Sequence, residues 1–404
     1  MITKRAIEID EDTSMKRLTG TYITNSLSPE PFKSFVPNPL PPDPPLELSG
    51  EHYTLLDQAT LALGRLDGLT WQLPRDVVSL YTYFYVRKEA VLSSQIEGTQ
   101  SSLSDLILYE SNEVPGVPLE DVGEVLQYVS AMTHGLQRLR IDDFPLSLRL
   151  IREIHEILLS SGRGSEKMPG EFRTSQNWIG GTRPGNAKFV PAPANEVISC
   201  MGALENFIHD KNLHMQVLVK AALVHVQFET IHPFLDGNGR LGRLLITLLL
   251  CAEGILQEPL LYISLYFKQH RETYYDLLQK VRVEGDWESW LHFFLTGVRD
   301  TADQAVRTSR NILELFQNDQ QAIVTLGRST GTTLRVFKLL QSLPLISIGR
   351  AAKETGISIP TVTATFKRLQ ELGIVREITS RQRDKLYSYE KCIRIISEGT
   401  ETVR

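Results

Sequence analysis

Apolar residues recur every three to four positions over most of this chain, and that period selects helices. It shows in Tyr53-Leu55-Leu56-Ala59 and in Val122-Val125-Leu126-Val129-Met132, inside a helical pattern running from about 50 to 160. It returns after 195, with helices expected over Val217–Phe228, from about Leu241 to Ala252, over Glu272–Val281 and across 287–325. The one long interruption, 162–193, sets aromatic and β-branched residues on either side of Ile179-Gly-Gly-Thr-Arg-Pro-Gly-Asn186. Such a Gly/Pro/Asn cluster between strand formers predicts a β-hairpin. The expected fold class is therefore mainly α, with one hairpin inserted in a helical core.

The two ends differ from this body. Residues 1–28 are polar without clear periodicity, and 29–45 hold eight of the 20 prolines. A segment this rich in proline favours extended polyproline II. A strap over the surface is expected there, rather than a ligand for a proline-binding domain. Residues 334–404 carry 13 Lys+Arg against 7 Asp+Glu, while the other 333 residues carry 30 against 41. The net charge of −5 gives no global basic field for nucleic acid, but a basic tail on an acidic body marks a module with its own partner.

Cys200, Cys251 and Cys392 are spaced for neither a metal knuckle nor a disulfide framework. The opening Met-Ile-Thr-Lys-Arg-Ala-Ile-Glu lacks the apolar run of a signal peptide. The most apolar stretch, Leu244–Ala252, falls far short of the roughly 20 residues that span a bilayer. A cytoplasmic protein without membrane contact is expected.

The tail follows a second pattern. Leu334–Leu343 is apolar at helical spacing; Ser347 can cap a helix over Ile348–Thr355; Gly356 turns the chain; and Ser358 can cap a second helix with Pro360 in its first turn. Gly373 stops that helix, Ile374–Ile378 alternates as a strand, and Arg381-Gln-Arg-Asp-Lys385 forms a charged tip before Leu386-Tyr387-Ser388-Tyr389. Helix, helix–turn–helix and a two-stranded ribbon make a winged helix. Thr361, Thr363, Thr365, Lys367 and Arg368 on its second helix, with Arg381, Arg383 and Lys385 on the wing, permit DNA contact but offer little for sequence-specific readout. Protein docking or dimerisation stays open beside it.

The chemistry concentrates in His232-Pro-Phe-Leu-Asp-Gly-Asn-Gly-Arg-Leu-Gly-Arg243. Asp-Gly-Asn-Gly is a turn sequence, and glycines let backbone N–H groups approach a ligand without Cβ interference. The turn runs into a helix, whose N-terminus is an anion site. Arg240 and Arg243 bring forked, permanently charged groups suited to polyphosphate. Asp236 is a carboxylate beside that cradle, and Mg²⁺ typically takes one or two carboxylates and fills its shell with phosphate oxygens and water. His232 can accept a proton from a hydroxyl nucleophile. Together these residues describe Mg-nucleotide, in-line attack by a hydroxyl and His232 as base. Which phosphorus is attacked stays open on chemistry alone.

The stretch resembles the His-Pro-Phe-x-Asp/Glu-Gly-Asn-Gly-Arg-x-x-Arg motif of Fic-domain proteins, matching every specified position. The resemblance covers about residues 30–300. It implies transfer of AMP from ATP to a Ser, Thr or Tyr of a target protein, with His232 as general base and Asp236 on Mg²⁺. It also implies that Gly237, Asn238, Gly239 and Arg240 hold the phosphates, with Gly242 in the same cofactor-binding stretch, and that Arg243 engages the γ-phosphate. Ser93-Ser-Gln-Ile-Glu97-Gly98 resembles the family's inhibitory motif, in which the glutamate pairs with the second arginine, here Arg243. Ser93 and Glu97 are then regulatory.

Phe172–Pro191 resembles the flap that holds an extended target by strand addition. Its glycine corner, Ile179, Gly180, Gly181 and Thr182, is expected at the nucleotide, and Tyr274, more than Tyr275, at the adenine. The expected division is 1–48 polar and Pro-rich, 49–115 helical with the inhibitory motif, 116–300 Fic core, 301–333 helical linker and 334–404 winged helix. A DNA-binding regulator whose core senses nucleotide, an enzyme that removes AMP, and a homodimer remain alternatives.

Overall fold

The computed structural model describes residues 17–25, 30–72, 75–111, 115–379 and 385–401. It is mainly helical, as the period requires. The N-terminal layer contains α1 (Gly50–Gln72), α2 (Arg75–Ile96), α3 (Leu103–Glu110), α4 (Leu119–Arg140) and α5 (Leu148–Leu158). The core continues with α6 (Val197–His209), α7 (Val217–Ile231), α8 (Asn238–Ala252), α9 (Ser264–Gln269), α10 (Arg271–Glu284) and α11 (Trp287–Val324). The tail holds α12 (Thr330–Ser342), α13 (Ile348–Thr355), α14 (Ile359–Glu371) and α15 (Glu390–Ser397).

Helix α7 is the centre of the molecule. Every residue from Leu218 to Ile231 is buried, because α6, α8, α10 and α11 pack around it. Even its polar residues Lys220, His225, Gln227 and Glu229 are enclosed. Helix α8 is nearly as enclosed, with α4 and α5 on its outer side. Trp290 on α11 donates its indole N–H to Ala222 O. Helix α11 lies along α1 and runs without a break through residue 300, where a core-to-linker boundary was expected, and into contact with α12 and α15.

Two local expectations change here. The strap expected over 29–45 contains a strand. Strands β1 (Gly20–Asn25) and β2 (Phe32–Pro37) pair antiparallel, Gly20 opposite Pro37. Phe35 is buried against Phe189, and its N–H reaches Val190 O at 2.9 Å. The ribbon thus lies beside the expected flap. That flap is less regular than a hairpin: its one bridge joins Ile179 to Phe189, and Pro184–Asn186 forms a short 3₁₀ turn.

The tail keeps its expected helices. Ser347 caps α13 through Arg350 N, and Gly356 ends it at φ 66°. Ser358 stands at the α14 cap without a side-chain bond to the backbone; its hydroxyl pairs with that of Thr361 instead. The sheet has three strands, β3 (Leu345–Ser347), β5 (Leu386–Ser388) and β4 (Arg376–Glu377), in the order β3-β5-β4. The strand expected over 374–378 shortens to two residues, and α15 is an addition. Arg381 and Arg383 lie outside the described residues. Among the described residues no helix is long and apolar enough to cross a membrane.

The tail is tied to the end of α2, where the inhibitory motif is expected. Gln95 donates its amide to Ser101 O and to Thr400 O, both at 2.8 Å. Ser111 and Arg350 add bonds to Leu345 O and Glu110 O.

Candidate active site

Helix α7 stops at His232, whose backbone is left-handed, at φ 49° and ψ 61°. A non-glycine residue held there stores strain of about 1 kcal/mol and needs surroundings that over-determine it. Buried Arg173 supplies them, donating to His232 O at 2.9 Å and to Ala192 O. Asn177 donates to His232 O and Phe234 O. The irregular segment leading into the flap therefore fixes the histidine. Its imidazole is the part left free: Nδ1 has no hydrogen-bond partner, and the nearest carboxylate oxygen, on Glu229, lies 3.9 Å away. Burial and the nearby Arg282 and Arg173 push its pKa down to about 3.

The following turn closes on itself. Asn238 accepts from Phe234 N and donates to Phe234 O, at 2.9 and 2.8 Å. The expected phosphate-holding side chain is thus engaged in shaping the loop. This clamp, with Gly237 at φ 74°, starts α8 at Asn238, three residues before the expected Leu241. The first bond of the helix is Leu241 N to Gly237 O. The N–H groups of Asn238, Gly239 and Arg240 have no intrahelical partner. They begin a helix at the floor of a cavity of about 480 Å³, which Glu97, Ile179, Gly180, His232, Asp236, Arg240, Arg243 and Tyr274 also line.

Both signature arginines are buried and held by carboxylates. Arg243, 1% exposed, donates to Ser93 Oγ and Ser93 O at 2.9 Å and to Glu97 Oε1 at 2.7 Å. Burial alone would raise the Glu97 pKa; Arg243, Arg240 and His232 overcome it and hold the carboxyl below its usual range. Arg240 donates to buried Glu124 on α4, which also accepts from Arg163. Asp236 faces the cavity with Oδ1 accepting from Gly237 N. No cluster of three metal-ligating side chains occurs among the described residues. A lone carboxylate at a phosphate-sized cradle fits Mg²⁺ that completes its shell with phosphate oxygens and water.

Other expected site residues do different work. Gly242 does not line the cavity: a Cβ there would sit 2.5 Å from Glu229 Oε1, so its bareness serves the contact between α7 and α8. Gly242→Ala is expected to lower the melting temperature by several degrees, since overpacking a tight contact costs about 1–3 kcal/mol. Gly181 and Thr182 also lie off the cavity, bonded into the turn with Asn186. Tyr274 contributes a ring edge, but its hydroxyl is bound to His225 Nε2 at 2.9 Å and the residue is buried. Tyr275, more exposed, carries Arg271 over its ring and lines the cavity with Trp178. Arg163, Trp178 and Glu229 also line the cavity and Glu124 holds Arg240, although none of the four belongs to the signature motif. Only Arg163, in Gly162-Arg-Gly164, carried a local signal.

Residues 145–250 match the Fic/DOC family, 53–137 the Fic/DOC family N-terminal region, and 330–376 a winged helix-turn-helix DNA-binding domain. The chain therefore carries a Fic domain and the N-terminal region that goes with it. A protein adenylyltransferase Fic from Aedes aegypti is 33% identical over 260 residues, 63% of this chain and 48% of that one. Its counterpart from Culex quinquefasciatus is 34% identical over 212 residues, 52% and 39% of the two chains. The chain thus spans about half, or less, of the length of these relatives. A Fic family protein from Desulfovibrio desulfuricans shares the fold, with a TM-score of 0.56 at 22% identity over 85% of this chain and 97% of that one. The Fic residues are those that bring His232, the α8 N-terminus and Arg243 to one cavity.

Proposed function

We propose that this protein transfers AMP from Mg-ATP to a Ser, Thr or Tyr hydroxyl of a polypeptide, itself included, and that Glu97 holds the reaction in check. The observation that carries this reading is a buried arginine, Arg243, whose carboxylate partner occupies the cavity that also holds His232 and the α8 N-terminus. ATP would lay its phosphates over the free N–H groups of α8 and between Arg240 and Arg243. Asp236 would hold Mg²⁺, which supplies charge neutralisation at the phosphates. The target strand would run beside the flap near Trp178, bringing its hydroxyl to His232. The adenylyltransferase name of the insect relatives supports AMP rather than phosphate as the group moved. The test is paired labelling with Glu97→Gly protein: α-labelled ATP should mark protein and γ-labelled ATP should not. The reverse pattern makes this a phosphoryl transferase and sinks the proposal.

The pH dependence follows from burial. His232 titrates near 3, below its ordinary value, so it is already neutral and able to accept a proton at pH 5. Modification rates of the Glu97→Gly protein should therefore show no acid limb centred near 6.5 between pH 5 and 8. A midpoint there would mean that the imidazole is far better solvated than this cavity allows.

A second reading is favoured by the match of residues 330–376 to a DNA-binding winged helix. Residues Thr361, Thr363 and Lys367 of α14 are exposed. Because Gln95 ties the tail to the inhibitory segment, a protein or DNA partner on the tail would act on the same equilibrium that Glu97 governs. Titrating labelled duplex DNA against the full chain, at two salt concentrations, separates these occupants.

A further inference from the structure

Residues 162–164, Gly-Arg-Gly, form a loop that the signature motif does not include. Gly162 and Gly164 both take positive φ, 75° and 87°. A Cβ at Gly164 would lie 2.8 Å from Asp236 Oδ2, so the loop is pressed directly onto the carboxylate at the cavity wall. Two side chains one turn apart on α4 anchor it. Gln127 donates to Ser161 O, and Glu124 accepts from Arg163 Nη2 at 3.1 Å. Glu124 accepts from Arg240 Nη1 as well, at 3.2 Å. Arg240 is enclosed, whereas the Arg163 side chain is 53% exposed and lines the cavity. One carboxylate thus aligns two guanidinium groups, and the outer one keeps N–H donors free to meet a ligand.

We infer that Arg163 is a third phosphate-binding arginine of this site, placed beside Arg240 to take the charge of the departing pyrophosphate. The inference rests on the AMP-transfer reading above. In that step the hydroxyl oxygen bonds to the α-phosphorus while the bond from the α-phosphorus to the bridging oxygen breaks. The hydroxyl proton goes to His232. The electron pair of the broken bond stays on the bridging oxygen, so pyrophosphate leaves with one more negative charge than it carried within ATP. A forked guanidinium, oriented by Glu124 and keeping other N–H donors toward the cavity, stabilises that gain more than it stabilises bound ATP. It should therefore act on turnover more than on nucleotide affinity. Lysine, a point charge that cannot bridge Glu124 and a phosphate with two parallel donors, should replace it only in part.

The experiment uses the full chain carrying Glu97→Gly, with and without Arg163→Ala, and measures turnover with Mg-ATP and binding of inorganic pyrophosphate and adenosine. Arg163→Ala is expected to lower kcat about tenfold or more and to weaken pyrophosphate about tenfold, with adenosine and the melting temperature unchanged. Arg163→Lys should recover part of both losses. Unchanged pyrophosphate affinity and kcat in the alanine variant, with a parent that binds both ligands, overturn the role of Arg163 alone. A parent that binds neither adenosine nor pyrophosphate overturns the nucleotide reading, and this role with it.

Discussion

Replacing Glu97 by glycine is expected to raise incorporation of AMP by about two orders of magnitude, the equivalent of about 2.7 kcal/mol. The estimate matches the worth of one charge-assisted hydrogen bond, about 1.5–3 kcal/mol. In the wild-type chain Arg243 is buried with its charge answered by Glu97 and by two oxygens of Ser93. Without the carboxylate those two neutral acceptors remain, and a buried, half-compensated guanidinium is a strong site for an anion. The γ-phosphate is the anion at hand. Two further measurements distinguish this from simple loosening of the protein. Glu97→Gly should melt earlier than wild type without nucleotide and recover with ATP, because binding to the native state alone adds stability by mass action. Glu97→Gln, which keeps an acceptor oxygen but no charge, should fall between the two. If Glu97→Gly protein labels nothing in a lysate, including itself, autoinhibited transfer is the wrong reading of this contact.

Removing the imidazole should have a comparable effect of opposite sign. In the Glu97→Gly chain, His232→Ala is expected to lower modification by about 10²–10⁴-fold, the usual range for loss of a general base. Nucleotide affinity should change little, since His232 Nδ1 has no hydrogen-bond partner to lose. The backbone complicates the choice of variant. His232 sits at φ 49°, where alanine is strained and asparagine is tolerated better. His232→Asn therefore keeps the turn while removing the base. It should bind ATP like the parent, melt closer to it than His232→Ala, and be equally inactive. Activity retained in His232→Asn would mean that another group, Glu229 being the nearest carboxylate, accepts the proton.

How far the chain could be read from its residues depended on whether a feature is local. The signature at 232–243 is one continuous loop and helix start, so its chemistry was visible. So were the tail helices α12, α13 and α14, though not α15, because Ser347, Gly356, Pro360 and Gly373 act within a few residues of themselves. The β1–β2 ribbon was hidden, because β1 is nearly all exposed and shows no alternation, and because prolines flank β2. The start of α8 was placed late, because the Asn238 clamp on Phe234 reads as a flexible turn until it is folded. Gly242 and Gly181 carried the composition of a ligand loop, but glycine has the same signature where two chain segments must touch.

The sequence by itself determined a mainly helical chain, a glycine-rich turn that runs from His232 into a helix N-terminus, and a separate winged helix in the tail. All of these follow from periods and spacings within about a dozen residues. The family resemblance already implied that Glu97 meets Arg243, 146 residues away; only the tertiary structure decided that Glu124 gathers Arg163 and Arg240 and that Gln95 meets Thr400, 305 residues further on. Such pairs leave no local trace, because burying α7 and α8 on every face is what brings them together. The packing of the core, rather than the motif alone, sets which carboxylate each arginine meets.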